Sequence, residues 1–257
     1  MAGVLERNGY SPIECRIDPN VAEGLIHGRS PTDGYRRGWG LEFGPLVAQI
    51  DGHPLYQEAR SISQGRSIVS DMRMRNLFLL ICNHIDQLES QDIIEFGSYR
   101  GGSIFFFAYL LKKLYPAAKV YGLDTFEGMP QTDPTIDYHT KGNFQDVSID
   151  EIREAAHNLG LTNLTLVQGL VEDTFPSPRF QNQKFAIAHV DLDIYQPIRH
   201  VQNVIWDYMP RGGYLVYDDA TTSSCIGATQ AVEELISSRN MRSEQIYPHF
   251  VFRSGLW

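Results

Sequence analysis

The sequence predicts an α/β fold: a mainly parallel sheet with helices on both faces, preceded by an N-terminal extension. Three observations predict it. From residue 71 onward, short apolar runs alternate with amphipathic stretches of helical spacing. The ends of those runs carry chemically useful residues: a glycine loop after the first, Asp124 after the second, Asp191 and Asp193 after the fourth, Asp218 and Asp219 after the fifth. In open α/β sheets ligands bind beyond the carboxyl ends of the strands, where the strand order reverses. Finally, 257 residues at 42% apolar and 21% charged content suffice for one full core.

Taken in order, residues 1–70 are irregular and rich in Gly, Pro and Arg, as in GYRRGWGLEFGP (34–45). They read as an extension serving as an acceptor-pocket or oligomer arm, and residues 71–257 as the main domain. Residues 72–88 place Met74, Leu77, Phe78, Ile81, Ile85 and Leu88 at helical spacing. A first strand follows at 93–97, then an apolar helix at 101–115 stopped before Pro116. The second strand is 119–124. A helix at 149–159 has Ser148 as its N-cap and Glu151 three residues on. The third strand is 163–168 and the fourth, reading as central and buried, is 185–191. A helix at 197–208, a fifth strand at 213–218, a helix at 227–238 and a strand-like tail at 245–253 complete the chain. There is no internal repeat and no low-complexity segment.

The formal net charge is −9. A protein that holds nucleic acid by its phosphates carries the opposite sign or a dense basic stripe. The short pairs Arg36-Arg37 and Lys112-Lys113 are neither, so nucleic acid and anionic membranes are disfavoured partners. The three cysteines, Cys15, Cys82 and Cys225, fit neither a disulfide framework nor a zinc motif by spacing, which points to a reducing, cytoplasmic compartment. No signal peptide is expected, and the longest apolar stretch, 104–111, is too short to span a bilayer.

The first strand runs into EFGSYRGGS (95–103). Glycines there let the chain turn and let a ligand approach the backbone. Asp124 is suitably placed for a carboxylate that grips two ribose hydroxyls. A nicotinamide dinucleotide and S-adenosylmethionine (SAM) both offer that ribose, and the loop separates them. Between Gly97 and Gly101 stand Ser98, Tyr99 and Arg100, so the G-x-G-x-x-G pattern is absent and Tyr99 occupies the place where a pyrophosphate needs glycine. SAM has no phosphate, and its sulfonium and amino-acid tail favour an acidic neighbour such as Glu95. A nicotinamide-dependent oxidoreductase and a non-catalytic SAM-binding protein are the alternative readings.

HVDLDIY (189–195) and VYDDA (216–220) are the most informative segments. Alternate strand residues share a face, so Asp191 and Asp193 point the same way. Asp218 and Asp219 leave the neighbouring strand at the same edge. Carboxylates gathered in one crevice repel unless a positive group lies between them. An oxygen-rich site with open positions suits Mg²⁺ or a similar hard cation, which polarises a hydroxyl and lowers its pKa. The competing reading is that these acids merely end their strands in solvent.

Together with DTFEGMP (124–130) and GLVEDTFP (169–176), these segments resemble the macrocin O-methyltransferase (TylF-like) family over residues 66–239. The resemblance implies a class I SAM-methyltransferase (Rossmann-like) sheet and a SAM- and Mg²⁺-dependent O-methyltransferase. Its acceptor would be a small glycosylated or polyhydroxylated metabolite offering a sugar or polyol hydroxyl; homo-oligomerisation is left open. It implies that Asp191, Asp218 and Asp219 hold the metal and Asp193 is the general base. The cofactor would be bound by Glu95, Gly97, Ser98, Tyr99, Gly101 and Ser103 around the methionine part, by Asp124 with Thr125 at the ribose, by Gly169, Leu170 and Val171 near the adenine, and by Asp191.

Several residues are expected to be ordinary. His139, in the long polar segment 130–144, reads as solvent-facing, with acceptor contact the alternative. His189 reads as a hydrogen-bonded core residue. Cys225 has no base beside it in sequence and reads as a packed helix-start residue. Tyr35, Trp39 and Phe43 read as an anchor for the N-terminal arm, or else as an aromatic wall for the acceptor.

Overall fold

The computed structural model describes residues 3–13, 29–30, 34–35 and 45–255. Tyr35 is described in its backbone alone, as part of a two-residue antiparallel pairing with Arg29; Trp39 and Phe43 lie outside the described residues. Six strands form one sheet: β1 (Asp92–Phe96), β2 (Val120–Asp124), β3 (Leu164–Gln168), β4 (Phe185–Val190), β5 (Tyr214–Tyr217) and β6 (Phe250–Arg253). Their order is β3-β2-β1-β4-β5-β6. The first five are parallel and β6 is antiparallel to β5. The chain builds outward from β1 in one direction and then, from β4, in the other. The strand order therefore reverses between β1 and β4, and the crevice for a ligand belongs there.

The pleat explains why both faces are covered. Ile93, Val120, Ile187 and Val216 face one core; Ile94, Tyr121, Ala188 and Leu215 face the other. The first core is closed by α3 (Pro54–Ser63), α4 (Asp71–Asn83) and α5 (Gly102–Leu114), and the second by α8 (Tyr195–Val204) and α9 (Ile226–Arg239). Helix α5 contributes Phe105, Phe106 and Phe107, all fully buried, so its sequence lacks a polar face. In α6 (Ile149–Asn158) the N-cap is as expected: the Ser148 hydroxyl accepts the N–H of Glu151, and a single turn, α7 (Val171–Thr174), follows β3.

Residues before 71 contain more regular structure than their composition suggests. A single helical turn, α1 (Val4–Arg7), buries Val4 and Leu5 in the first core. Helices α2 (Pro45–Asp51) and α3 each begin with proline, a residue whose missing N–H costs nothing in a first turn. Leu55, Tyr56 and Ala59 of α3 are buried in the first core with the phenylalanines of α5. The packing therefore continues unbroken across residue 70.

Other boundaries shift for local reasons. Helix α4 stops at Asn83, and Ile85 is buried from the turn that follows. Helix α8 starts at Tyr195, two residues before Pro197, which lies in the first turn where no intrahelical N–H is needed. Its last expected turn is a separate 3₁₀ segment, Ile205–Tyr208. The tail pairs as β6 only from Phe250, with an isolated bridge from Gln245 to Val251. Among the described residues no helix is long and apolar enough to cross a membrane.

Candidate active site

Beyond β1 the chain turns at Gly97, with φ at 90°. A Cβ there would lie 1.7 Å from the carbonyl oxygen of Asp191, so β1 and β4 leave the sheet in contact. Gly102 opens α5 under equally tight conditions: a Cβ would lie 2.4 Å from the backbone nitrogen of Ser67. That close approach lets residues 66–69 pass over the helix start and wall one side of a crevice of about 890 Å³, its open mouth included.

Gly97, Ser98, Tyr99 and Ser103 line this crevice, as do Asp124 and Thr125 at the end of β2, Gly169, Leu170 and Val171 after β3, and Asp191 and Asp193 after β4. Glu95 and Gly101 are not among its lining residues. Glu95 is fully buried, its Oε1 2.9 Å from His189 Nδ1. Gly101 faces Ile152 and Phe105. The Glu95 side chain leaves the strand one residue before the tip, where the pleat turns it into the core. Sequence reasoning missed Ser67, Ile68 and Val69; the 71%-exposed Ile68 is an apolar side chain at the crevice lip.

Asp124 is busy within the protein. Its Oδ2 accepts the N–H groups of Ser98 and Tyr99, both at 2.8 Å, and its Oδ1 accepts that of Phe126 at 2.7 Å. It therefore clamps the glycine loop to the end of β2. That clamp holds Tyr99 in left-handed backbone, φ 43°, at the place of the second glycine of a dinucleotide loop.

Asp191, Asp218 and Asp219 converge: each offers an oxygen within 4.8 Å of the others. Asp218 is 2% exposed and is held on both oxygens. Arg73 of α4 donates to Oδ2 at 2.6 Å, and His249 donates to Oδ1 at 2.9 Å. Gln245 donates to Asn76, and Asn76 donates to His249 Nδ1, so the His249 proton is on Nε2, facing Asp218. Burial pushes His249 down to about 4, in keeping with a neutral ring. His189 Nε2 lies 3.5 Å from the same Oδ1, an ion-pair distance. Burial opposes the charge on His189, but Asp218 and Glu95 outweigh it and lift the ring to about 9. Burial likewise opposes the charge on Asp218, and the two imidazoles and Arg73 hold its carboxyl well below the usual range.

Among the described residues, Asp191 and Asp219 have no ion-pair partner within 4.0 Å. Burial and the neighbouring carboxylates push both well above the usual range. Among the described residues, Arg73 and His189 stand against Glu95, Asp191, Asp193, Asp218 and Asp219, which leaves positive charge short in this cluster. A divalent cation with oxygen preference fits that deficit and that donor set.

Asp193 joins the two regions. It lines the crevice, and its N–H donates to Asp219 Oδ2 at 3.1 Å. Its backbone is left-handed, φ 59°, a conformation uncommon for aspartate and held here by its surroundings. Burial raises its carboxyl above the usual range, with His139 opposing. His139 departs from the solvent-facing role expected of it, whereas Cys225 is, as expected, a packed helix-start residue, 2% exposed at the N-cap of α9. His139 is 14% exposed in its side chain and sits 3.6 Å from Asp193 Oδ1, and the Cys225 thiol donates to that same oxygen at 3.3 Å. The loop is delivered there by Asp137, whose Oδ1 accepts the N–H of Tyr195 at 2.9 Å in space kept clear by Gly227.

A curated relative, the 8-demethyl-8-(2,3-dimethoxy-alpha-L-rhamnosyl)-tetracenomycin-C 4'-O-methyltransferase of Streptomyces olivaceus, is 26% identical over 144 residues, 52% of this chain and 54% of that protein. The match thus spans about half of the relative's length. The O-methyltransferase NovP superposes with a TM-score of 0.65 at 19% identity, over 77% of this chain and 88% of NovP. MycE methyltransferase of mycinamycin biosynthesis, solved with Mg, S-adenosylhomocysteine and mycinamycin VI, gives a TM-score of 0.50 at 14% identity, over 81% of this chain and 57% of MycE. At these identities the structures show a shared fold. The sequence itself matches the family model described as Macrocin-O-methyltransferase (TylF) over residues 56–246, which takes in the crevice, the acidic cluster and most of α3, and the chain belongs to that family.

Proposed function

We propose that this chain transfers the methyl group of SAM to a hydroxyl of a glycosylated natural product, assisted by a divalent cation. The observation that carries the reading is the position of Asp193, on the crevice wall and hydrogen-bonded to the acidic cluster at once. The family, the sugar O-methyltransferase relative and the Mg-bound neighbour support it.

Gly97, Ser98, Tyr99 and Ser103 would receive the methionine part of SAM, and Gly169, Leu170 and Val171 would flank the adenine. Asp124 fixes the loop that makes this cradle and presents its remaining lone-pair capacity to the ribose. Asp191, Asp218 and Asp219 would hold the cation, which when bound lowers the pKa of the acceptor hydroxyl. Asp193 receives the hydroxyl proton while the acceptor oxygen forms a bond to the methyl carbon and the carbon–sulfur bond breaks, leaving S-adenosylhomocysteine. Burial raises the Asp193 carboxyl above the usual range, the direction that favours taking up a proton. The remaining work is positioning in a walled crevice.

The test is methyl transfer from labelled SAM to a panel of glycosylated acceptors, with and without chelator. Transfer that stops with chelator and returns with Mg²⁺ supports the reading. Transfer at full rate in chelator removes the cation from it, and the acids become strand-end carboxylates around a metal-free site.

A further inference from the structure

Three side chains from separate parts of the chain meet beside the acidic cluster. His139 comes from the loop after β2, Asp193 from the end of β4, and Cys225 from the N-cap of α9. Their ligand atoms form a nearly equilateral triangle. His139 Nε2 is 3.7 Å from Cys225 Sγ and 3.6 Å from Asp193 Oδ1, and Sγ is 3.3 Å from Oδ1.

That triangle has the dimensions of one face of a zinc tetrahedron. Bond lengths of ~2.0–2.1 Å to nitrogen, ~2.0–2.2 Å to oxygen and ~2.3 Å to sulfur, at tetrahedral angles, put the ligand atoms roughly 3.3–3.6 Å apart. Three protein ligands and an open fourth position match the arrangement of open zinc sites. The donor chemistry differs from that of its neighbour. Asp191, Asp218 and Asp219 offer hard oxygens only, whereas a thiolate and an imidazole select a borderline-soft ion. Access is open on one side: the His139 and Asp193 side chains are 14% and 19% exposed, while Cys225, 2% exposed, forms the floor.

We propose that His139, Asp193 and Cys225 form a second cation site, selective for Zn²⁺-class ions, whose occupancy shuts off methyl transfer. Binding replaces the Cys225 thiol proton, which leaves to solvent as the sulfur–metal bond forms. A neutral imidazole, a thiolate and a carboxylate then balance the charge of the ion. Asp193 cannot hold a substrate proton while it ligates a metal, so the two uses exclude each other. The binding stands on the triangle alone; the inhibition rests on the proposed function, through Asp193.

Co²⁺ serves as the probe, titrated into the metal-free full chain under reducing, anaerobic conditions. The expected result is a near-ultraviolet thiolate-to-cobalt charge-transfer band that saturates at one equivalent and is displaced by Zn²⁺. Cys225→Ser abolishes the band, and His139→Ala, on a different element, weakens Co²⁺ binding at least tenfold. Cys15→Ser and Asp219→Asn keep it. Absence of the band in the wild type, or its persistence in Cys225→Ser, overturns the site. In a parallel assay with Mg²⁺ present, Zn²⁺ at the concentration that displaces cobalt should stop methyl transfer. Undiminished transfer at full Zn²⁺ occupancy overturns the inhibitory role and, separately from the spectrum, the assignment of Asp193 as base.

Discussion

With a carbonyl oxygen 1.7 Å from where its Cβ would stand and φ at 90°, Gly97 admits no side chain unless β1 and β4 part. Gly97→Ala should therefore lose SAM binding by calorimetry and cost at least ~2 kcal/mol in a denaturant titration, from backbone strain and displaced packing. Retained affinity would mean the two strand ends separate more easily than their contact implies. The aspartates divide by what already holds them. Asp218 serves Arg73 and two histidines, so its loss disturbs buried charges as well as any metal. Asp219 is the cleaner ligand test. Asp219→Asn should weaken Mg²⁺ binding, and added Mg²⁺ should restore part of its turnover. Asp193→Asn should bind SAM and metal normally yet turn over at least ~10²-fold more slowly, the usual scale of lost general-base catalysis, with no rescue by metal. Rescue of Asp193→Asn by Mg²⁺ would move that residue from base to ligand.

At the scale of elements, helix α3 shows both a missed reading and a testable flaw. Its apolar positions, Leu55, Tyr56, Ala59 and Ile62, are few and separated by polar residues, so the stripe was faint in sequence; the proline at its start was the better sign. The strands and helices after residue 71 were legible because each is a dense periodic run ended by glycine, proline or aspartate. The acidic cluster was legible for the same reason, lying at strand ends whose place in the sheet is dictated by topology. His139 and Cys225 were not, since a loop anchor between Asp137 and the start of α8 brings them together across 86 residues, and no local pattern encodes that. In α3 the Tyr56 hydroxyl is buried with no hydrogen-bond partner among the described residues. Tyr56→Phe removes a desolvated donor and should be neutral or stabilising by up to ~1 kcal/mol, where an ordinary aromatic truncation destabilises. The pH dependence carries a sign. Burial raises Tyr56 from its ordinary 10.0 to about 12, so the folded state prefers the neutral phenol. Wild-type stability from this group is intact below pH 10 and is lost as pH rises through about 12. The gap between variant and wild type should widen over that window in matched denaturation curves, and a constant gap would show the hydroxyl to be solvated.

Over the whole molecule, the residues before 71 divide into parts with different work. Residues 3–13 and 45–63 belong to the core: Val4, Leu5, Ile50 and Leu55 are buried in it, and His53 Nε2 lies 3.0 Å from the Ser11 carbonyl oxygen. A chain beginning at residue 14 would expose the surfaces that Val4 and Leu5 cover, at ~1.5–3 kcal/mol for each side chain. A simple N-terminal deletion therefore confuses stability with function. Residues 14–44 are a separate matter, for they hold Tyr35, Trp39 and Phe43 and the Arg36-Arg37 pair in a composition unlike the rest of the chain. In the proposed reading the crevice holds SAM, and the acceptor needs a wall of its own beside Asp193. Aromatic side chains in that stretch suit the apolar face of a sugar or an aglycone. The informative experiment keeps residues 1–13 and replaces 14–44 with a Gly/Ser linker of equal length. Thermal stability and SAM affinity should stay near those of the wild type, because the core contacts of both flanks remain. Methyl transfer to a glycosylated acceptor should fall at least tenfold, with the loss expressed mainly in KM for the acceptor. Unchanged KM in the linker variant would show that the acceptor is recognised by the described residues alone, and would direct the search for its wall to Met129, Pro130 and Phe144 around the crevice.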